Sequence, residues 1–154
     1  MDSLIIVDTI LKNIATLGFI GYLPFARGTF GSLAAFVFFL VLKPSVFFHV
    51  LILVLAIPVG VISSTRAEII LKEKDSSHIV IDEFCGYFIS VLFIPFSYWY
   101  AVSAFFLFRF FDILKPFPIN RIESSLKGGN GVMGDDIMAG VYTNIVLHIW
   151  LLVH

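Results

Sequence analysis

The sequence predicts an all-α fold: one domain over residues 1–154, an integral membrane helical bundle of short, Pro-broken helical hairpins behind an amphipathic N-terminal helix. Three observations carry this reading. Hydrophobic residues make up 59% of the chain and charged residues only 14%, against about a quarter charged in an average soluble domain. Mean hydropathy is +1.00. The apolar residues fall in long runs, and of the eleven acidic residues only Asp2 and Asp8 lie outside two polar segments that separate those runs.

Residues 3–17 set Leu4, Ile5, Val7, Ile10, Leu11 and Ile14 against Asp8, Lys12 and Asn13. That spacing predicts an amphipathic helix lying on the bilayer or packed on the bundle. From Leu33 to Ile62 the chain is apolar apart from Lys43-Pro44-Ser45 and His49. Pro44 has no N–H to donate and pushes Lys43 out of the helical region, so two helices are expected, at 33–42 and 46–63. A second stretch, Phe84 to Phe108, breaks at Pro95-Phe96-Ser97. It predicts helices at 83–94 and 98–114, the latter stopped by Pro116 and Pro118. These two would reach only about 18–25 Å at about 1.5 Å per residue, enough for a thin-spanning hairpin or for partial entry into the bilayer. The last run, Ile137 to Val153, is near the lower limit for one crossing.

A net charge of −1 leaves no basic stripe to neutralise a nucleic-acid backbone. The single cysteine, Cys85, allows no intramolecular disulfide and no structural zinc site. No basic n-region or small-residue cleavage site opens the chain, so a removable signal peptide is not expected. Arg66, Lys72 and Lys74 share one polar segment, and Lys115, Arg121 and Lys127 share the other. By the positive-inside rule both face the cytoplasm. The polar chemistry is therefore expected at the cytoplasmic interface, within reach of a lipid headgroup. No obligate protein partner is implied.

Two carboxylate pairs, Asp82-Glu83 and Asp135-Asp136, sit at the edges of apolar runs. Acidic residues favour helix N-caps and first turns, yet one carboxylate per helix would serve for capping. Adjacent like charges repel and raise each other's pKa unless a cation sits between them. Gly86, Ala139 and Gly140 follow one turn later, and small residues let helices approach closely, which would bring the pairs together. Oxygen ligands with room for water and phosphate suit Mg2+. Arg109, Asp112 and Lys115 are spaced i, i+3, i+6 at the end of a predicted helix, as a phosphate clamp or as a snorkelling ion pair at the interface. Gly28-Thr29-Phe30-Gly31-Ser32 suits a tight turn whose N–H groups cradle a phosphate, or simply an N-cap at Ser32. His49 and His148 read as structural, bonded to nearby backbone, and Cys85 as a small buried hydrophobe.

Together, Gly28-Thr-Phe-Gly-Ser-Leu-Ala-Ala35, Ile79-Val-Ile-Asp-Glu-Phe-Cys-Gly86, Phe108-Arg-Phe-Phe-Asp-Ile-Leu-Lys-Pro-Phe-Pro118 and Gly128-Gly-Asn-Gly-Val-Met-Gly-Asp-Asp-Ile-Met-Ala-Gly140 resemble one family, phosphatidylglycerophosphatase A. The resemblance runs from about residue 18 to 145. It implies a magnesium-dependent membrane phosphatase of glycerophospholipid biosynthesis, acting on phosphatidylglycerophosphate from the cytoplasmic side of a bacterial inner membrane. Carried over, it implies Asp82, Glu83, Asp135 and Asp136 as metal ligands and Asp82, Glu83, Asp112, Lys115 and Asp136 as catalytic residues. Substrate-binding residues are expected at Arg27, Thr29, Ser32, Arg109 and Lys115. The family commonly has Pro-Gly-Thr where this chain has Arg27-Gly28-Thr29, which points to a different turn or to an extra phosphate contact from Arg27. The alternative, from the residues alone, is a small cation carrier or a non-enzymatic assembly subunit with its acids on an ion path. Acids at segment edges rather than mid-run favour interfacial chemistry.

Overall fold

The computed structural model describes residues 2–153. Seven α-helices follow in order: α1 (Asp2–Ala15), α2 (Arg27–Leu42), α3 (Val46–Leu71), α4 (Ile81–Ser90), α5 (Tyr98–Leu114), α6 (Ile119–Ser125) and α7 (Gly129–Val153), with a short 3-10 turn at Ile20–Tyr22. No strand occurs among the described residues. Two helices, α3 and α7, are long and apolar enough to cross a membrane. The outward surface is apolar where a soluble protein would be charged: Val41, Phe47, Trp99, Phe106 and Leu152 are all exposed. The amphipathic helix packs on α3 with Ala15 buried at its end and Asp8 turned toward α3. Arg66 donates from Nε to Asp8 Oδ1 at 2.6 Å and from its second amine to Asp8 Oδ2 at 3.1 Å. Leu4, Ile5, Ile6, Val7 and Ile10 are left facing outward, a lipid-facing arrangement.

Several boundaries move for identifiable reasons. The chain breaks at Lys43, which leaves the right-handed helix for a left-handed conformation (φ 42°) before Pro44. Helix α3 runs on to Leu71 instead of stopping near 63. The hydroxyls of Ser63 and Thr65 bond back to the carbonyls of Gly60 (3.1 Å) and Val61 (2.8 Å), so the polar residues continue the helix. Residues 28–32 are the first turns of α2 and not a free phosphate-binding turn. Helix α6 was not expected at all.

The middle hairpin is asymmetric. Helix α4 has ten residues, about 15 Å of rise, roughly half of a 30 Å hydrocarbon core; α5 has seventeen and is as expected. A helix ending at membrane depth must have its last carbonyls satisfied by protein. His49 Nε2 meets the Phe88 carbonyl at 2.8 Å, and Asn144 Nδ2 donates to Ser90 O (3.2 Å) and Leu92 O (2.8 Å). His49 is thus structural, as is His148, whose Nδ1 contacts the Asn144 carbonyl at 2.9 Å.

The core of the bundle is the contact between α4 and α7, sealed by the fully buried Tyr87, Phe88 and Phe108. Gly86 and Gly140 permit it. A Cβ on Gly140 would collide with the Gly86 carbonyl, and a Cβ on Gly86 would lie 2.7 Å from the Asp136 carbonyl and 2.5 Å from the Phe108 ring. Because backbone blocks the added carbon, Gly140→Val should force the helices apart and destabilise the protein by about 1–3 kcal/mol or more. Thermal unfolding in detergent should show a clearly lowered Tm; an unchanged Tm would contradict this packing.

Candidate active site

Three helix ends and the second turn of α7 meet around an open cavity of about 430 Å3. Asp82 and Glu83 stand in the first turn of α4. Asp112 is in the last turn of α5, and Lys115 is its left-handed C-cap. Asp135 and Asp136 are in the second turn of α7, not at its start, because the helix begins at Gly129. Gly129 can join the helix there: its N–H donates to Thr65 Oγ1 at 2.9 Å, and a side chain at this position would strike the Val61 carbonyl of α3. Arg27 and Gly28 open α2, and the 72–80 loop adds Asp75, Ser76, Ser77 and Ile79 to the lining.

The two carboxylate pairs interleave. One oxygen each from Asp82, Glu83 and Asp136 lie within 4.8 Å of one another, and so do oxygens of Asp112, Asp135 and Asp136. Asp136 belongs to both groups, and it is only 3% exposed. Two cations are tied to this cluster. Arg109 pairs with Asp112 through its NH1 amine, which also faces Ser32 Oγ at 3.5 Å, and Lys115 Nζ bonds Asp135 Oδ2 at 2.7 Å. The i, i+3, i+6 series is therefore split: Arg109 and Asp112 pair along α5, while Lys115 reaches across to α7.

The cluster is under-satisfied. Asp82 Oδ1, Glu83 Oε2, Asp136 Oδ2 and Arg109 Nε are buried without a hydrogen-bond partner. Such atoms cost about 1–3 kcal/mol each, more when charged. Three orphaned oxygens in one all-oxygen cluster fit a hard divalent cation, for which two ligands at about 2.1 Å lie up to roughly 4 Å apart. Six carboxylates and three basic side chains line the cavity, so a phosphate could enter only with added positive charge. Burial, then the Glu83, Asp136 and Asp135 carboxylates, push the Asp82 pKa well above the ordinary carboxylate range. Burial also raises Glu83, against the opposing effects of its hydrogen bond with Asp82 and of Arg109, while Asp112 adds to the rise.

Of the other expected residues, Ser32 is fully buried and its hydroxyl donates to the Gly28 carbonyl at 2.8 Å, so it faces Arg109 from below the cavity. Thr29 is not among the residues lining the cavity. Gly28 backs directly onto Glu83 Oε1 and lies beside Arg109. Glu68 accepts the Asp75 N–H at 2.6 Å and lines a neighbouring hollow with Lys74. His78 braces the loop through Nδ1 to the Gly21 carbonyl at 2.8 Å. Sequence reasoning did not find Ser77, whose hydroxyl receives the Arg27 NH1 amine, because a serine in a polar loop carries no signal of its own.

A raised acid pKa has a defined linkage. The folded chain holds a proton at Asp82 that the unfolded chain releases, so this contribution to stability is full below the ordinary carboxylate range and is lost as pH rises through the raised value. In EDTA, Tm should therefore fall between acidic and neutral pH, and Asp82→Asn should flatten the slope. A wild-type Tm that rises over that interval, or an unchanged slope in Asp82→Asn, would contradict the assignment.

Residues 13–151 match the family model described as Phosphatidylglycerophosphatase A. A Bacteroides thetaiotaomicron protein that carries the provisional name phosphatidylinositol-3-phosphatase is 39% identical over 136 residues, covering 82% of this chain and 84% of its own length. The Phosphatidylglycerophosphatase A of Haemophilus influenzae is 38% identical over 133 residues, covering 82% of each chain. That of Escherichia coli is 35% identical over 130 residues, covering 83% of this chain and 76% of its own. No solved structure matches the chain. With every carboxylate of the cavity, Arg109 and Lys115 inside the matched span, the chain belongs to the phosphatidylglycerophosphatase A family.

Proposed function

We propose that the chain hydrolyses the terminal phosphomonoester of phosphatidylglycerophosphate, giving phosphatidylglycerol and inorganic phosphate, with Mg2+ held by Asp82, Glu83, Asp135 and Asp136. The observation that carries the reading is the cavity itself: six carboxylates, three of them with orphaned buried oxygens, inside the span that matches a phosphatase family. Membership of that family replaces the cation-carrier alternative. The relative named for phosphatidylinositol 3-phosphate supports a second reading with the same chemistry, a lipid phosphomonoester on another headgroup. The family model and two relatives named for phosphatidylglycerophosphate favour the first. The clustering of Lys and Arg beside the site supports a cavity open to the cytoplasm at the inner membrane.

Mg2+ bound here would neutralise developing charge and lower the pKa of a water. The rest falls to the chain. Of Asp82, Glu83, Asp135 and Asp136, Glu83 is the one that, where it is left uncoordinated, takes the proton of the attacking water. The water oxygen bonds to phosphorus as the bond from phosphorus to the ester oxygen breaks; the leaving glycerol oxygen takes a proton from solvent, Glu83 returns its proton to solvent, and orthophosphate departs. Arg109 and Lys115 stabilise charge on the phosphoryl oxygens. Asp112 and Asp135 hold those two cations in place before substrate arrives, so little reorganisation accompanies the reaction.

Asp82→Asn and Asp136→Asn, each still folded and membrane-inserted, should lower phosphate release by about a hundredfold or more, the scale of a lost acid–base group. Full activity in both would remove the carboxylates from the mechanism. EDTA should abolish turnover and Mg2+ restore it. Hydrolysis that ignores the chelator would remove the metal.

A further inference from the structure

The three basic side chains lining the cavity keep different company. Arg109 and Lys115 are each paired with a carboxylate. Arg27 is held by neutral groups alone: its Nε donates to the Leu23 carbonyl at 3.0 Å and its NH1 amine to the Ser77 hydroxyl. Among the described residues no carboxylate forms an ion pair with it. Its place is also distinct. Ser77 is exposed, whereas Asp135 and Asp136 are buried, so Arg27 lies at the mouth of the cavity. Yet Gly28, the next residue, backs directly onto Glu83 and Arg109. One residue separates a guanidinium at the rim, with no carboxylate in ion-pair contact, from the carboxylate floor.

We infer that Arg27 is a specificity-determining residue that binds the second, diester phosphate of a two-phosphate lipid headgroup while the terminal phosphate lies over the carboxylates. The inference rests on the lipid-phosphatase reading above. A headgroup of this class carries two anionic phosphates, and both must pass a cavity lined by six carboxylates. At the floor Arg109, Lys115 and the expected cation offset most of the carboxylate charge. The diester phosphate, bonded to the lipid glycerol, stays outside, where Arg27 is the cation on offer. Two hydrogen bonds already fix its guanidinium, so little side-chain freedom is lost when a phosphate oxygen arrives. A charge-assisted hydrogen bond of this kind is worth about 10- to 100-fold in affinity. The rival role is mechanical, a latch between the start of α2 and the 72–80 loop.

The test compares kcat/KM for phosphatidylglycerophosphate with that for phosphatidic acid, which has a terminal phosphomonoester and no diester phosphate. Arg27→Ala should shrink the wild-type preference for the two-phosphate lipid about 10- to 100-fold, mainly through KM, and Arg27→Lys should recover much of it. Ser77→Ala, which removes the latch and leaves the charge, should keep the preference. If Arg27→Ala does not fold, Arg27→Gln, which can still donate to the Leu23 carbonyl, should show the same reduced preference. Equal losses on both lipids in the Arg27 variant, or a Ser77→Ala preference that shrinks as much, would overturn the inference and assign the latch instead. A wild-type protein that releases no phosphate from phosphatidylglycerophosphate would overturn the phosphatase reading itself, a different outcome from an unshifted preference.

Discussion

The close approach of α4 and α7 at Gly86 and Gly140 is the constraint on which the rest of the molecule depends. It brings Asp82 and Glu83 against Asp136, and it leaves no space for side chains between the two backbones. Short helix α4 can end at membrane depth only because His49 and Asn144 satisfy its last carbonyls. The same two neighbouring helices, α3 and α7, thereby fix both the depth of α4 and the position of its acidic first turn. A bundle of this kind gains little from burying apolar surface, since its outer face is apolar too; close backbone packing and polar satisfaction set its geometry.

The site carries an electrostatic imbalance that the packing sustains. Six carboxylates with three basic groups are a poor place for an anion, and their buried oxygens are a costly set to leave unpaired. A hard cation with oxygen ligands, as proposed above, would satisfy those oxygens and offset part of the negative charge. Arg109 and Lys115, each braced by a carboxylate, supply preorganised donors. The start of α4 contributes a helix dipole of the same sign.

Much of this was legible in the sequence. The small residues after the paired acids and the Lys43-Pro44 break each have a direct physical consequence, the close approach of α4 and α7 and the end of α2, and both appear in the structure. Less legible were features set by partners distant in sequence. Asp135 and Asp136 looked like a helix start because nothing local shows that Gly129 can pack against the Val61 carbonyl and begin α7 two turns earlier. Ser63 and Thr65 looked like an end because hydroxyl-to-backbone bonds are invisible to a hydropathy pattern. Gly28 to Ser32 looked like a phosphate loop; folded into α2, they instead place Arg27 at the rim and Ser32 beneath Arg109. That α1 would turn Asp8 inward depended on Arg66, fifty-eight residues away.

The central claim is that this carboxylate cavity works on a phosphate presented by a lipid. The most direct measurement is inorganic phosphate release by the purified protein in detergent micelles, with phosphatidylglycerophosphate compared against water-soluble glycerol 3-phosphate at equal concentration. The account predicts phosphate and phosphatidylglycerol in equal amounts from the lipid, at a rate well above that from the soluble ester. No release from the lipid, or an equal rate from both, would contradict it.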